Sequence, residues 1–302
     1  MCNGVGLNVT PHLYCYAPKG LYVRVSASMI NTWMGCPLQA KFRYVDKLPD
    51  ENNAYSAFGS CVHHALDHYN RNGDVDSAVA VFEDVWDDPG KIGSAFEYWP
   101  RYTSFPAMLN RGREMIREYH EKQKWEDRVV VASEHRFNVP FGDHRLSGIV
   151  DLLEMKKSGR GKSTLKIVDY KTNSKPPNQT ELKLNIQFTA YHWASLQPEF
   201  WLGDSEGPGH PDGANLWDRL KDAPRRTFWY QLNQNKEIPC GPRDEKDFMR
   251  LYRAVTEIAG AWDAGIFVPN ISGSTCLYCP YTDPCGVPIP SPDRDEYLDT
   301  LF

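Results

Sequence analysis

The chain has 302 residues, of which 41% are hydrophobic, 24% charged and 13% aromatic. This near-average composition excludes wholesale disorder, collagen-like repeats and a coiled coil, and the length is sufficient to bury a core without disulfide bonds. The net charge of -5 disfavours a general polyanion binder. No apolar run reaches the roughly 18 residues of a membrane helix, and residues 1–20 lack a signal-peptide pattern, so we expect a cytoplasmic protein.

The first 125 residues have mainly helical periodicity. Apolar residues recur every three or four positions over 28–44, 57–70, 76–85 and 107–124. The pair Cys36-Pro37 interrupts the first of these segments, because proline cannot continue the hydrogen bonding of a helix interior. The pattern therefore predicts two short helices there and one helix in each of the other segments.

After residue 125 the periodicity changes to the alternation of strands and later returns to that of helices. Asn178 and Glu181 have the spacing of a capping box at the start of a helix. The predicted elements, in chain order, are strands over 129–139, 145–155 and 164–171, a helix over 181–196, a loop over 203–213, a strand over 227–232 and a helix over 245–264. This order predicts an α/β protein.

Two acidic residues on neighbouring predicted strands suggest a metal site. Alternation places Asp169 and Lys171 on one face of the third strand, and Asp151 lies among apolar residues of the preceding strand. An ionised carboxylate in such a strand is costly unless a partner or a metal compensates for it. The pattern favours a Mg²⁺ or Mn²⁺ site. The alternative is two solvated strand ends with Lys171 as a surface partner.

Three of the eight cysteines lie within ten residues, at Cys276, Cys279 and Cys285. Such clustering indicates metal ligation rather than disulfide bonding. Zinc and an iron-sulfur cluster both remain open on the residues alone, with zinc favoured, because four thiolates suit tetrahedral zinc. The remaining cysteines, one of which can complete a set of four, are Cys2, Cys15, Cys36, Cys61 and Cys240.

Six short motifs follow one another along the chain. They are the segment from Ser26 to Cys36-Pro37, Gly59-x3-His63-x2-Leu66, Gly148-x2-Asp151, Asp169-Tyr170-Lys171-Thr172, Gln187-x3-Tyr191 and the Cys-x2-Cys-x5-Cys ending. The series resembles the RecB-like PD-(D/E)XK nucleases. The first and last motifs resemble the iron-sulfur branch of that family, which includes CRISPR-associated RecB-like exonucleases and the AddB nuclease domain. The resemblance runs from Ser26 to Gly286.

The resemblance implies a restriction-endonuclease-like α/β core, in which helices flank a central mixed sheet. It also implies a helical N-terminal part and an iron-sulfur-clasped C-terminus. The implied domain organisation is an N-terminal extension over 1–25, a nuclease domain over 26–286 with a helical insertion over about 72–125, and a C-terminal tail over 287–302.

The same resemblance implies a role for each matched residue. The implied metal ligands are His63, Asp151, Asp169 and the backbone carbonyl of Tyr170. Lys171 would orient or deprotonate the attacking water and stabilise the charge that develops on the phosphate. Gln187 and Tyr191 would brace the site and contact the DNA strand. Glu134 has two open roles, one beside the metal or at a second metal and the other in an ordinary ion pair between strands.

The resemblance also implies a [4Fe-4S] cluster that closes the ends of the nuclease domain, with structural Zn²⁺ as the alternative. Its ligands would be Cys36, Cys276, Cys279 and Cys285. Cys2, Cys15, Cys61 and Cys240 have no assigned role, and we expect most of them to be buried thiols.

The implied function is that of a Mg²⁺- or Mn²⁺-dependent deoxyribonuclease, an exonuclease with 5′ to 3′ polarity on single-stranded DNA ends. It would act in DNA recombination, repair or processing, and a phage or mobile-element origin is compatible with the chain. One alternative is a non-catalytic adaptor that binds DNA ends in a recombination or spacer-acquisition complex. Another alternative is an iron-sulfur redox protein, but this hypothesis does not explain the ordered motif series. The tail is expected either to dock a protein partner or to pack on its own domain.

Basic and aromatic residues are the candidates for DNA contact. Each set also has an interpretation without DNA binding. The basic residues can form a solvated loop, and the aromatic residues can pack between helices. The basic candidates are Lys156, Lys157, Arg160, Lys162, Arg225 and Arg226, and the mixed aromatic and basic stretch contains Tyr98, Trp99, Arg101, Tyr102 and Phe105.

Overall fold

A computed structural model describes residues 22–49, 54–87, 103–124, 128–157, 163–173, 175–272, 275–276 and 279–286. Its α-helices are α1 (Ala27–Gly35), α2 (Pro37–Ala40), α3 (Ala54–Asn72), α4 (Val75–Trp86), α5 (Phe105–Gln123), α6 (Gln179–Leu184), α7 (Ile186–Ser195), α8 (Pro198–Leu202), α9 (Gly213–Leu220), α10 (Glu245–Asp263) and α11 (Thr282–Cys285). A π-helical turn covers Lys41–Val45, and a 3-10 turn covers Leu232–Gln234. The strands are β1 (Arg24–Ser26), β2 (Val129–Phe141), β3 (His144–Lys157), β4 (Ser163–Lys171), β5 (Gly203–Asp204), β6 (Gly207–Pro208), β7 (Arg225–Gln231) and β8 (Lys236–Pro239).

Six of these strands form one mixed sheet, in the order β1-β3-β4-β7-β8, with β2 paired to the other edge of β3. β3 is antiparallel to β2 and β4 and parallel to β1. β7 is parallel to β4, and β8 is antiparallel to β7. β5 and β6 form a separate two-stranded sheet. The mixed central sheet expected from the sequence is therefore confirmed.

Helices cover both faces of the sheet, and the alternation of β4 separates the two cores. Leu165 and Ile167 belong to one hydrophobic cluster, while Val168 and Tyr170 belong to the other. The first cluster includes side chains of α1, α7 and α10, and the second includes side chains of α3, α4 and α5. Asp169 and Lys171 share the face of Leu165 and Ile167, as the sequence predicts. None of the helices in the described ranges is both long and apolar enough to cross a membrane.

The helix predicted over 181–196 is in fact two helices, α6 and α7. The capping box of Asn178 and Glu181 is present at the start of α6. Asn185 ends α6 with an extended backbone (ψ 119°), and its side chain then accepts hydrogen bonds from the backbone N–H groups of Gln187 and Phe188. Asparagine is a strong N-cap residue, so this one side chain starts a new helix in the middle of the apolar pattern.

The break predicted at Cys36-Pro37 is confirmed, because α1 ends at Gly35 and Pro37 is the first residue of α2. The short elements β1, α8, α9, β8 and α11 were not predicted. They have three to eight residues each, too few to establish a periodicity. The segment predicted as a loop over 203–213 contains the two short strands β5 and β6.

Candidate active site

The site lies where the sheet divides. β1 pairs with β3 at residues 145–147, and β4 pairs with the same edge of β3 at residues 152–157. Residues 148–151 therefore pair with neither strand on that edge. In this gap the Asp151 carboxylate accepts a hydrogen bond of 2.6 Å from the backbone N–H of Tyr170. The Tyr170 N–H thus bonds to the side chain of Asp151 instead of to a backbone carbonyl of β3. This bond holds the Asp151 carboxylate at the end of β4.

Three metal-ligating side chains converge on the gap. One ligand atom each from His63, Glu134 and Asp151 lies within 4.8 Å of the other two. The His63 Nδ1 atom is 3.6 Å from Asp151 Oδ2 and 3.9 Å from Glu134 Oε1. Its Nε2 atom is 3.1 Å from the backbone oxygen of Tyr170. Helix α3 therefore meets the strands β2, β3 and β4 at this point, although it lies far from them in sequence.

Glu134 has an unusual backbone conformation, with φ at 48°. Ser133 pairs with Leu152 and His135 pairs with Val150, so Glu134 lies opposite Asp151 across the β2–β3 ladder. A residue other than glycine is rare in this left-handed region, which costs on the order of 1–3 kcal/mol. Nothing in the sequence signals this conformation, and sequence reasoning therefore left the role of Glu134 open.

Asp169 and Lys171 form the neighbouring part of the site. The Lys171 Nζ atom lies 2.7 Å from the buried Asp169 Oδ2 atom, so the two side chains form an ion pair. Burial raises the pKa of Asp169 to about 6, although the Lys171 charge opposes the rise. Asp169 stands outside the group of three ligand atoms, because its carboxylate contacts Lys171 instead.

The charges of the three converging side chains are interdependent. Burial raises the pKa of Glu134 to about 7, and the Asp151 charge adds to the effect. Burial alone would lower the pKa of His63, but the Asp151 carboxylate outweighs it and raises the pKa to about 9. Burial alone would raise the pKa of Asp151. The charge of His63 has the larger effect, so the pKa of Asp151 is lowered. Acidic groups in low-dielectric surroundings favour a bound cation.

Helix α3 approaches the end of β4 closely, and this approach brings His63 to the site. Gly59 lies one turn before His63, and a Cβ atom at Gly59 would be 3.3 Å from Thr172 Oγ1. The His63 ring also packs edge-on against Tyr170. The Tyr170 hydroxyl is anchored in turn by Tyr119, at 2.7 Å. The glycine of the first motif thus allows the close contact between helix and strand.

Gln187 and Tyr191 lie one helical turn apart on α7 and are joined directly. Gln187 Nε2 donates a hydrogen bond of 2.8 Å to the Tyr191 hydroxyl. Tyr191 is buried and packs edge-on against Phe137. A Cβ atom at Gly148 would lie 2.8 Å from the Phe137 ring and 3.5 Å from the Tyr191 ring. The absence of a side chain at Gly148 therefore makes room for both rings behind the site.

The four cysteines of the predicted tetrad line one cavity between the two ends of the described chain. Cys36 lies between α1 and α2, whereas Cys276, Cys279 and Cys285 come from the C-terminal segment. Burial raises the pKa of the Cys279 thiol, and the other three cysteines are close enough to raise it further. The backbone N–H of Asn270 points to the Cys36 sulfur at 3.4 Å. Four sulfur ligands and an N–H donor suit a metal centre with thiolate ligands.

Two of the remaining cysteines are isolated buried thiols, as expected. Burial raises the pKa of Cys61 to about 11 and that of Cys240 to about 12, so both stay protonated near neutral pH. Cys2 and Cys15 lie outside the described residues.

The candidate DNA contacts are only partly supported by their positions. Arg225 is buried and donates hydrogen bonds to the carbonyls of Ser195, Lys221 and Ala223, so its assignment to the DNA surface is wrong. Phe105 stacks on Trp86 with ring centroids 5.4 Å apart, which is helix packing. Lys156 and Arg226 are exposed. The side chain of Lys157 and the residues Tyr98, Trp99, Arg101, Tyr102, Arg160 and Lys162 lie outside the described part of the chain.

The residues at the gap fit a hard divalent cation. They offer carboxylate oxygens, an imidazole nitrogen and a backbone carbonyl, which are the donors that Mg²⁺ and Mn²⁺ accept. The candidate holders are His63, Glu134, Asp151, Asp169 and the Tyr170 carbonyl.

Comparison with protein families identifies the domain that carries this site. The model of the PD-(D/E)XK nuclease superfamily matches residues 24–286. No curated protein matched the chain. The matched range contains the divided sheet, the acidic group with Lys171 and all four cysteines of the cavity. The chain therefore belongs to the PD-(D/E)XK nuclease superfamily.

Proposed function

We propose that the protein is a Mg²⁺- or Mn²⁺-dependent exonuclease that hydrolyses phosphodiester bonds at single-stranded DNA ends. The observation that carries the proposal is the convergence of His63, Glu134 and Asp151 next to the Asp169–Lys171 pair. Superfamily membership indicates a metal-dependent nuclease with DNA as the substrate. The exonuclease activity rests on the resemblance of the motif series to the RecB-like exonucleases.

The chain's own groups have separate tasks in this reaction. A bound divalent cation would polarise a phosphate oxygen and lower the pKa of a coordinated water. Asp151 is held for metal binding by its hydrogen bond from Tyr170 N–H, and Glu134 faces it across the ladder. Gln187 and Tyr191 support this arrangement from α7.

Lys171 supplies a positive charge beside Asp169. Burial alone would lower its pKa, but the Asp169 carboxylate outweighs burial and raises the pKa above its usual value. The Lys171 ammonium can stabilise the negative charge that develops on the phosphate in the transition state.

Substrate topology tests the exonuclease part of the proposal. We expect linear single-stranded DNA to be degraded with Mg²⁺ or Mn²⁺ while a circular single strand of the same sequence survives. A 5′ label should be released before a 3′ label if the polarity is 5′ to 3′. Cleavage of the circle at the same rate would show an endonuclease and contradict the proposal.

The adaptor alternative predicts DNA-end binding without cleavage. It does not account for the presence of the acids and the lysine together at one point of the fold, because an adaptor has no need of a costly buried carboxylate group. End binding that is unaffected by metal and never followed by hydrolysis would favour the adaptor.

We further propose that the cysteine cavity holds a [4Fe-4S] cluster. All four cysteines that match the motifs of the iron-sulfur branch line this one cavity. Four thiolates suit either zinc or a cluster, and the resemblance to the iron-sulfur branch supports the cluster.

Elemental analysis separates the two metal assignments. Protein purified without oxygen should be brown and contain about four iron and four acid-labile sulfide per chain. A colourless protein with one zinc per chain would refute the cluster and retain the tetrad.

A further inference from the structure

Lys171 has a second neighbour besides Asp169. The ring centroid of Trp229 lies 5.6 Å from the Lys171 Nζ atom, which is within the range of a cation–π interaction. Trp229 on β7 is in register with Asp169 on β4, so both side chains lie on the same face of the sheet. The ammonium thus contacts a carboxylate from its own strand and an aromatic ring from the next strand.

The Trp229 ring is itself held in place. Its Nε1 atom donates a hydrogen bond of 2.8 Å to Gln231 Oε1, and Gln231 Nε2 donates to the backbone carbonyl of Asn173. Gln231 is fully buried, and Trp229 is only 8% exposed. Asn173 follows Lys171 by two residues, so these bonds connect the ring to the segment that carries the lysine.

A lysine ammonium stands on a flexible four-carbon stem and needs fixed partners to occupy one position. Asp169 is a shared partner, because the same carboxylate is a candidate metal holder. The indole ring has no oxygen ligand for a hard cation, so it contacts the ammonium without competing for the metal. We propose that Trp229 is a positioning residue that holds the Lys171 ammonium for phosphodiester cleavage. The proposal rests on the nuclease function proposed above.

The other face of the same two strands offers a matched control. The Lys166 Nζ atom lies 5.2 Å from the Phe228 ring centroid. Lys166 also contacts Glu154 at 3.0 Å and Glu237 at 2.6 Å. This second lysine and ring have similar geometry but lie on the face opposite to Asp169 and Lys171. A change at Phe228 therefore perturbs the same pair of strands without touching Lys171.

The test compares Trp229→Phe, Trp229→Leu and Phe228→Leu with the wild-type protein. With Mn²⁺ and single-stranded DNA, Trp229→Leu should lower kcat about tenfold and change KM less than about twofold. Trp229→Phe keeps an aromatic face and should lose less. Phe228→Leu should lower the melting temperature and leave kcat unchanged.

A second measurement does not depend on cleavage. In metal-free protein, the rate at which an acetylating reagent modifies the Lys171 amine, followed by mass spectrometry, should rise from wild type through Trp229→Phe to Trp229→Leu. If Trp229→Leu does not fold, Trp229→Met, which also lacks an aromatic face, takes its place in the series.

Equal losses of kcat in the Phe and Leu variants, an unchanged kcat in Trp229→Leu, or the same loss in Phe228→Leu would overturn the positioning role. A wild-type protein without any cleavage would refute the nuclease proposal instead. In that case the order of acetylation rates would still decide whether the ring holds the ammonium, because that measurement needs no substrate.

Discussion

At the scale of single residues, Glu134 combines an unfavourable backbone conformation with a place in the candidate metal site. Its left-handed backbone is unfavourable for a glutamate, and its carboxylate lies opposite that of Asp151. Both features destabilise the metal-free fold. Together they place an acidic oxygen within 4.8 Å of ligand atoms of His63 and Asp151.

We predict that Glu134→Asn raises the free energy of unfolding of the metal-free protein by about 1 kcal/mol and weakens Mn²⁺ binding. Asparagine tolerates the left-handed region and carries no charge. Denaturant unfolding and calorimetric Mn²⁺ titration measure the two effects. Lys47→Asn is the control, since exposed Lys47 has a similar φ of 53° but lies outside the site. Lower stability together with unchanged Mn²⁺ affinity would contradict the ligand role of Glu134.

A second residue-scale prediction concerns acid stability. His135 is buried, and burial lowers its pKa to about 4. The hydrogen bond between its ring and the Phe200 carbonyl opposes this shift but is the weaker effect. The unfolded state, with an ordinary histidine pKa near 6.5, binds the proton better. The stability contributed by neutral His135 is therefore present above pH 6.5 and is lost as the pH falls toward 4, by up to about 3 kcal/mol.

His135→Gln tests this assignment, because glutamine can donate to the same carbonyl and does not titrate. Thermal unfolding at pH 7 and pH 4.5 should show a smaller acid-induced loss in the variant than in the wild type. Identical losses in both proteins would place the acid-sensitive group elsewhere.

At the scale of elements, the periodic helices and the long hairpin were predictable from the sequence because each repeats its pattern over ten or more residues. The division of α6 from α7 was not, since Asn185 interrupts an otherwise continuous apolar pattern. The gap beside β3 was also not predictable. It depends on β1 and β4 sharing one edge, which is a long-range pairing.

The C-terminal segment is attached to the N-terminal helices by more than the cysteines. Tyr281 is buried and packs against Phe42 with ring centroids 5.8 Å apart, and its hydroxyl donates to the Leu48 carbonyl. The Asn270 side chain donates to the Gly35 carbonyl at 2.8 Å. These contacts indicate that the cavity joins distant parts of the chain, as a structural clasp does.

We therefore predict that Cys276→Ser lowers the melting temperature and the yield of soluble protein more than it lowers cleavage per folded molecule. A metal centre that binds only the folded state contributes its binding free energy to stability. Cys240→Ser, which alters a buried thiol outside the cavity, is the control. Unchanged stability with selective loss of cleavage would show that the cysteine cavity acts on the DNA or on the candidate active site.

At the scale of the whole molecule, the fold brings together residues that are more than 100 positions apart, such as His63 and Tyr170. The motif series identified these residues, and the superfamily match supports the same domain. Sequence reasoning did not identify Trp229 or the position of Glu134. Their contacts depend on strand register and on one backbone angle, neither of which leaves a pattern in the residue types.

The most direct test of the account is cleavage of end-labelled single-stranded DNA by the wild type and by Asp169→Asn, each with Mg²⁺, Mn²⁺ or EDTA. Asp218→Asn, which alters an exposed carboxylate in a surface ion pair, is the matched control. We predict cleavage by the wild type and the control only with a divalent metal, and a loss of about a thousandfold in Asp169→Asn with the fold retained. Full activity in carefully purified Asp169→Asn, or undiminished cleavage in EDTA, would contradict the metal-dependent site.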